Sequence, residues 1–576
     1  MAHELIPSPA EVLLIESAAK GELADYRSAE AARNDPRDDG KNWDERRTLS
    51  GAIISTLAAR TNPSWPVHSA GIRIVGARIS GDLDLSGAEV VHPLTFEGCH
   101  VERPIKLNSA RIHSIRLTGS DVAGVDARSL DAQSDVLLDA AFVARGVVRL
   151  ACAHIGGDLV CRGGTFANGL EAEGIRVGGS AYLNDGFHAK GAVILSNTLI
   201  NGDVSCIGGT FENPGAGALK LDCSAIGGHV LLGNGFKTYG EVSLVRARVG
   251  GLLCCAHGTI ENFEGRALSA EEIIVGSHVL LNNAFKAAGE VSLARAEIGG
   301  VLYCAHGTFA NPGRTALSGE GARIRSNVFM GDWFCAKGAV VLTKSTIDGD
   351  FNCVGGIFEN PGGDAVDANG LSTAGSVRMH TRFLARGAVR LDSARIAGAL
   401  HCGGGTFENA EAIALSAEDA SIGRGIILSG GFRSAGEVRI ARAGIGSDLC
   451  CTDSTFENPS GVALCGNAVT VGGSILLGDG FTAKGEVALT GASIGKNLDC
   501  DAGTFENVTG DALSAEGMTV TGDVLLCERF RAQGNVRFAN AKISGRLECA
   551  RDILEKSDGA VLLMEGTEIA GGVLQR

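Results

Sequence analysis

The chain has 576 residues, 83 of them glycine and only 11 proline. A composition of 45% hydrophobic and 20% charged residues excludes disorder, and the low proline excludes a collagen-like chain. Against 66 Asp+Glu stand 51 Lys+Arg, so the net charge of −15 argues against a general phosphate-binding surface for nucleic acid.

The N-terminus, MAHELIPSPAEVLLIESAAK, has no basic region followed by an apolar one, so it does not read as a secretory signal. No run of 18 apolar residues predicts a membrane span. With 17 cysteines in a large chain lacking such a signal, reduced thiols and a cytoplasmic location are expected. Ser8-Pro9-Ala10-Glu11 is a capping box with proline at the first helical position. It predicts a helix from Pro9 to Lys20, stopped at Gly21. A second helix is predicted from Trp43 to Arg60, with Leu49, Ile53 and Leu57 on one stripe. Residues 1–70 therefore read as a small α-helical cap on the rest of the chain. An effector or partner-docking module is the functional alternative for this segment.

From 71 to about 147 short apolar pairs occur, as in IRIVGARISGDLDL from Ile72, but their register is irregular. From Val148 the chain repeats. The phrase GEVSLVRARVGG at Gly240 returns as GEVSLARAEIGG at Gly289 and GEVALTGASIGK at Gly485. Its first valine falls at Val193, Val242, Val291, Val340, Val389, Val438, Val487 and Val536, each step 49 residues. A weaker copy inside each unit divides it into half-units of about 23 and 26 residues. Alternating apolar pairs about five residues apart are strand-like. Strands this short close only by winding: each half-unit makes one coil, and stacking of coils builds the core. The expected fold is all-β, a right-handed parallel β-helix, four-sided and pentapeptide-like, covering 71–576. The Gly-Gly pairs after isoleucine are expected to supply backbone freedom at sharp corners.

Equivalent positions form ladders. Cys161, Cys206, Cys255, Cys304, Cys353, Cys402, Cys451, Cys500 and Cys549 make one. Phe166, Phe211, Phe309, Phe358, Phe407, Phe456 and Phe505 make a second, with Ile260 substituting once. A separate phenylalanine series runs from Phe142 through Phe187 and Phe236 to Phe530. Asn168, Asn213, Asn262, Asn311, Asn360, Asn409, Asn458 and Asn507 mark a turn. The end, IAGGVLQR, lies inside the pattern, and an end-to-end dimer through the last coil is expected.

No ladder carries recognisable chemistry. Successive ladder cysteines lie two coils apart, about 10 Å from the strand spacing, too far for disulfides, and read as small buried hydrophobes. Clustered zinc ligands are absent. His257 and His306 share a position, as do His229 and His278, which duplication explains. Glu212, Glu359, Glu408, Glu457 and Glu506 form a row beside the asparagine turn, read as a solvated edge, with a cation-binding row as the weaker alternative. The glycine pairs lack the strand–helix setting of a dinucleotide fingerprint, and no hydrolase or phosphate-loop motif occurs. No catalytic, cofactor-binding or metal-ligating residue is assigned, and no cofactor is expected.

The five-residue steps and inward apolar pairs resemble the pentapeptide-repeat superfamily of quadrilateral β-helices, although the turns carry insertions. Trp43, Arg47 and Thr48 in a W-x-x-x-R-T segment, then GIRIVGARISGDLDL and the GEVxLxxAxIGG units, are similar to a family of uncharacterised bacterial proteins. Members of that family often carry the label of membrane-associated oxidoreductase, which the resemblance implies as an alternative activity. Some pentapeptide-repeat proteins imitate DNA to bind topoisomerases, so the resemblance also implies DNA mimicry as an alternative. The residues themselves favour a non-enzymatic solenoid scaffold offering a long acidic surface to a protein partner.

Overall fold

The computed structural model describes residues 6–550 and 561–575. The chain divides into two compact units, Met1–His278 with Phe285–Gly289, and Val279–Ala284 with Glu290–Arg576. Each is a parallel β-solenoid, its strands gathered into three sheets.

One turn of the first unit shows the construction. Its strands are Val136–Leu137, Val143–Ala144, Val148–Arg149 and His154–Ile155. They pair in parallel with Leu159–Val160, Thr165–Phe166, Leu170–Glu171 and Arg176–Val177 of the next turn. There are thus four strand positions per turn. Val136, Leu138, Phe142, Ala144, Val148, Leu150, Ala153 and Ile155 all point inward and are buried. No turn can close that core alone, because its backbone N–H groups also bond to carbonyls of neighbouring turns, as Leu138 does to Val160 at 2.7 Å.

Later turns explain the 49-residue period. In one turn the second and third strand positions run together as a single strand, Thr210–Lys220, with a register break between Glu212 and Gly217. The following turn has the shorter Lys237–Ser243 at the same place. This merging reduces four strand positions to three sheets. The extra residues of the longer strand form an outward loop clamped by its asparagine. Asn213 Nδ2 donates to the Gly217 carbonyl at 2.9 Å, and Asn360 and Asn507 do the same four residues on.

Within each unit the two phenylalanine series form one column. In the first unit the rings of Phe142, Phe166, Phe187, Phe211 and Phe236 follow one another at 5.0–5.6 Å between centroids. In the second unit consecutive pairs from Phe309 to Phe530 stand equally close, for example 5.0 Å for Phe383–Phe407. Successive turns bring the ring in from places two residues apart. Phe407 is in register with Ala385 and Ser434, while the rings of the adjacent turns enter from Phe383 and Phe432. Opposite the latter stands glycine. A Cβ on Gly405 would lie 2.6 Å from the Met379 carbonyl and 3.1 Å from Cε2 of Phe407. Ring and small residue exchange places each turn, so the packing repeats every second turn.

Two expectations are corrected. The Gly-Gly corners do not use left-handed backbone. Gly227 and Gly250 have no positive φ, but a Cβ on either would meet a carbonyl oxygen of the preceding turn at 2.3 Å. Close approach, not φ, demands glycine there. Positive φ falls instead on a separate turn, held by residues such as Asn197, Arg246, Lys344 and Arg442 and, in other copies, by Gly321, Gly370 and Gly491. The second correction concerns the N-terminus. The helix Pro9–Lys20 forms with its capping box as expected. Trp43–Arg60, however, is not one helix. It contains a 3-10 turn Glu45–Arg47, a strand Thr48–Ser50 and a helix Gly51–Ala58. Leu49 is drawn into the sheet, in register with Ile79, and Ser50 Oγ then caps the helix by accepting from the Ala52 N–H. Ala24–Asp25 likewise pairs with Ile74–Val75. The helical segment therefore supplies strands to the solenoid of the first unit. Trp43 and Arg47 are structural here. The guanidinium lies 3.7 Å from the Trp43 ring centre and donates to the Gly76 carbonyl at 2.7 Å. No helix among the described residues is long and apolar enough to cross a membrane.

Candidate interaction surface

The inward columns are occupied by packing. The ladder cysteines Cys304, Cys353, Cys402 and Cys451 alternate with Met330, Met379 and Leu428 and are fully buried. Burial pushes their thiols up, away from the reactive thiolate. The intervening aliphatic residues separate them, as the strand spacing requires.

The corners use polar side chains to hold backbone. The N–H of Asp158 donates to Asp135 Oδ1 at 2.8 Å, and that of Ser180 to Asp158 Oδ1 at 2.7 Å. His229 belongs to this column, since its Nδ1 accepts from the Leu252 N–H at 3.0 Å. The second glycine of each corner pair leaves room for the acceptor: a Cβ on Gly251 would meet His229 Nδ1 at 2.2 Å. His257 and His306 both sit at φ 59, as turn residues. His229 therefore holds backbone, and His257 and His306 are turn residues.

The carboxylate row is not a bare acidic edge. In the second unit the register places Lys337 beside Glu359, Arg386 between Glu359 and Glu408, and Lys484 between Glu457 and Glu506. Arg386 bonds to both Glu359 and Glu408, and these bonds raise its pKa. Lys484 Nζ reaches Glu457 Oε1 at 2.7 Å. The cation needed beside each carboxylate comes from the intervening turn. Uncompensated charge collects elsewhere: burial, with Asp501, Asp479 and Glu528 nearby, raises the Asp499 carboxyl. His380 and His401 stack at 4.1 Å, and burial lowers the pKa of both, helped at His380 by His401 and Arg378 and at His401 by Arg378.

Each unit breaks its own pattern once with exposed aromatic side chains. In the first, Tyr239 stands in register between Glu212 and Glu261, a place that the second unit gives to Lys337, Arg386 and Lys484 and, in other turns, to Ala435 and Gln533. Phe263, 73% exposed, follows the loop asparagine where other copies have Pro214, Pro312, Pro361 or Pro459. Tyr239, Phe263, Pro214, Glu212, Glu261 and Glu264 line an open hollow of about 660 Å³. Glu212 bonds to His188 Nε2 at 2.9 Å, whereas Glu261 and Glu264 have no cationic partner among the described residues. In the second unit Trp333 is 67% exposed at φ 66. The same turn elsewhere carries Gly235, Ala284, Arg382, Gly431 or Gly480. A bulky residue with φ > 0 is unusual, so the turn presents this ring at a conformational cost. Asp332, Val354, Ile357, Thr381 and Arg382 border a hollow of about 290 Å³ beside it.

These residues were not singled out from the sequence. Their signal was available as departure from the repeat rather than as repetition: a tyrosine at a position that four other copies give to Lys or Arg, and a phenylalanine where four other copies have proline. No family model, curated protein or solved structure matches the chain.

Proposed function

We propose that the chain is a non-enzymatic binding scaffold that presents its outward rows to a protein partner. The observation that carries this reading is the display of three aromatic side chains on an otherwise repetitive surface: Tyr239 from a strand, Phe263 from an outward loop and Trp333 from a turn. Aromatic residues of this kind dominate protein interfaces, because they combine large area with few rotatable bonds. The acidic balance and the crowded carboxylates around Asp499 support a partner with basic surface. The inward residues support the absence of catalysis only in that their thiols and rings are engaged in packing.

Photo-crosslinking tests the reading. Benzoylphenylalanine placed at Phe263 or Trp333 in the native host should give discrete protein adducts that the same group at Glu320 does not. Equal labelling from all three positions would contradict it. So would tight binding of NAD(P) or flavin by the purified chain, which would favour the oxidoreductase that the family resemblance implies.

A further inference from the structure

The hollow at Tyr239 has a counterpart within the chain. Glu212, Pro214, Gly215, Glu261, Asn262 and Glu264 recur 147 residues later as Glu359, Pro361, Gly362, Glu408, Asn409 and Glu411. Register relations recur too: Glu212–Tyr239–Glu261 corresponds to Glu359–Arg386–Glu408. Within this set only two positions differ, Tyr239 for Arg386 and Phe263 for Ala410. In the later copy the guanidinium of Arg386 bonds across both glutamates. In the earlier copy the carboxylates remain, Lys190 stands beside Glu212 on the preceding turn, but the cation between Glu212 and Glu261 is gone, and two aromatic rings take the vacated surroundings.

We propose that this hollow receives an arginine side chain of the protein partner, in the role that Arg386 fills internally. The inference rests on the scaffold reading and names the chemistry of its partner. A guanidinium is planar and weakly hydrated, so it stacks on aromatic faces while its N–H groups still reach carboxylates. Tyr239 and Phe263 supply the faces, and Glu261 and Glu264 supply the acceptors. An acidic or neutral aliphatic segment would leave the carboxylates unpaired against it.

The test uses the full chain and two peptides, acetyl-Gly-Gly-Arg-Gly-Gly-amide and its citrulline counterpart, which has the same shape but no charge. Calorimetry should show saturable binding of the arginine peptide in roughly the millimolar range or tighter, and about tenfold weaker binding of the citrulline peptide. Tyr239→Lys and Phe263→Pro restore residues that other copies of the repeat accommodate. Each should weaken arginine-peptide binding about tenfold or more while thermal unfolding is retained. Val508→Ala, at the corresponding loop place of another copy, should leave binding unchanged. Equal binding of the two peptides, parental binding by Tyr239→Lys, or no binding up to about 10 mM would overturn the proposal. If partner crosslinks from Trp333 persist in that event, the scaffold reading stands and the pocket alone falls. Absence of crosslinks together with intact peptide binding separates the opposite case.

Discussion

The loop edge around Tyr239 and the one around Arg386 are built from the same residues on the same register, yet they handle their carboxylates in opposite ways. Around Arg386, the intervening turn supplies the counter-charge to both Glu359 and Glu408. Around Tyr239, it supplies a ring that is 40% exposed, and two glutamates face solvent beside it. The fold accepts both because the differing side chains point outward, where stacking of turns imposes no volume. Inward, even the small change from Phe407 to its counterpart Ile260 interrupts a column of rings. Structure is thus held by the positions that repeat, and recognition is sought at those that do not.

Perturbing the inward side should have the largest effect. Phe407 is fully buried, with rings on both sides at 5.0 and 5.3 Å. Phe407→Ala should cost about 3–5 kcal/mol in reversible unfolding. Ile260→Val, at the corresponding place, should cost only about 0.5–1.5 kcal/mol. A loss below about 1 kcal/mol for Phe407→Ala would remove the ring column as a stabilising element. Gly405→Ala should come next, at about 1–3 kcal/mol, because the new methyl overlaps the Met379 carbonyl and crowds the Phe407 ring. The buried Ser454 at the same place in a later copy shows that relaxation is available, so the effect should be smaller than deleting a ring. Smallest should be Arg386→Gln. It removes an exposed bridge between Glu359 and Glu408, and a slight drop in melting temperature at low salt should vanish at high salt. A drop that persists at high salt would mean that Arg386 holds the edge by packing rather than charge.

Much of this was legible in the sequence, for identifiable reasons. Inward positions are constrained by contacts with the turns on either side, so Cys304 and Phe309 recur at fixed intervals and reveal the coil, and Asn311 recurs because it clamps the outward loop. The coils before Phe142 were harder to read because they lack the marker rings. The register places Val101 and Val122 in line with Ala144 and Phe166, and small residues such as Cys99 and Ser120 fill the space nearby. The union of the two phenylalanine series into one column within each unit was hidden by their two-residue offset, which only the stacking of turns makes meaningful. The corner glycines were recognised, but their reason was not, because close approach between turns leaves no local trace. At Trp43–Arg60, helical periodicity was real for Ile53 and Leu57, but Leu49 had a stronger partner in Ile79, distant in sequence. Tyr239, Phe263 and Trp333 escaped notice because a search for repetition passes over the residues that break it.

The most direct measurement is a graft of the difference itself. Arg386→Tyr combined with Ala410→Phe converts the later edge into the residue set of the earlier one. Calorimetric titration with the arginine peptide should then give two peptides per chain where the parent gives one. A stoichiometry that remains at one, in a chain whose unfolding is unchanged, would contradict the view that these two positions alone turn a structural edge into a recognition site.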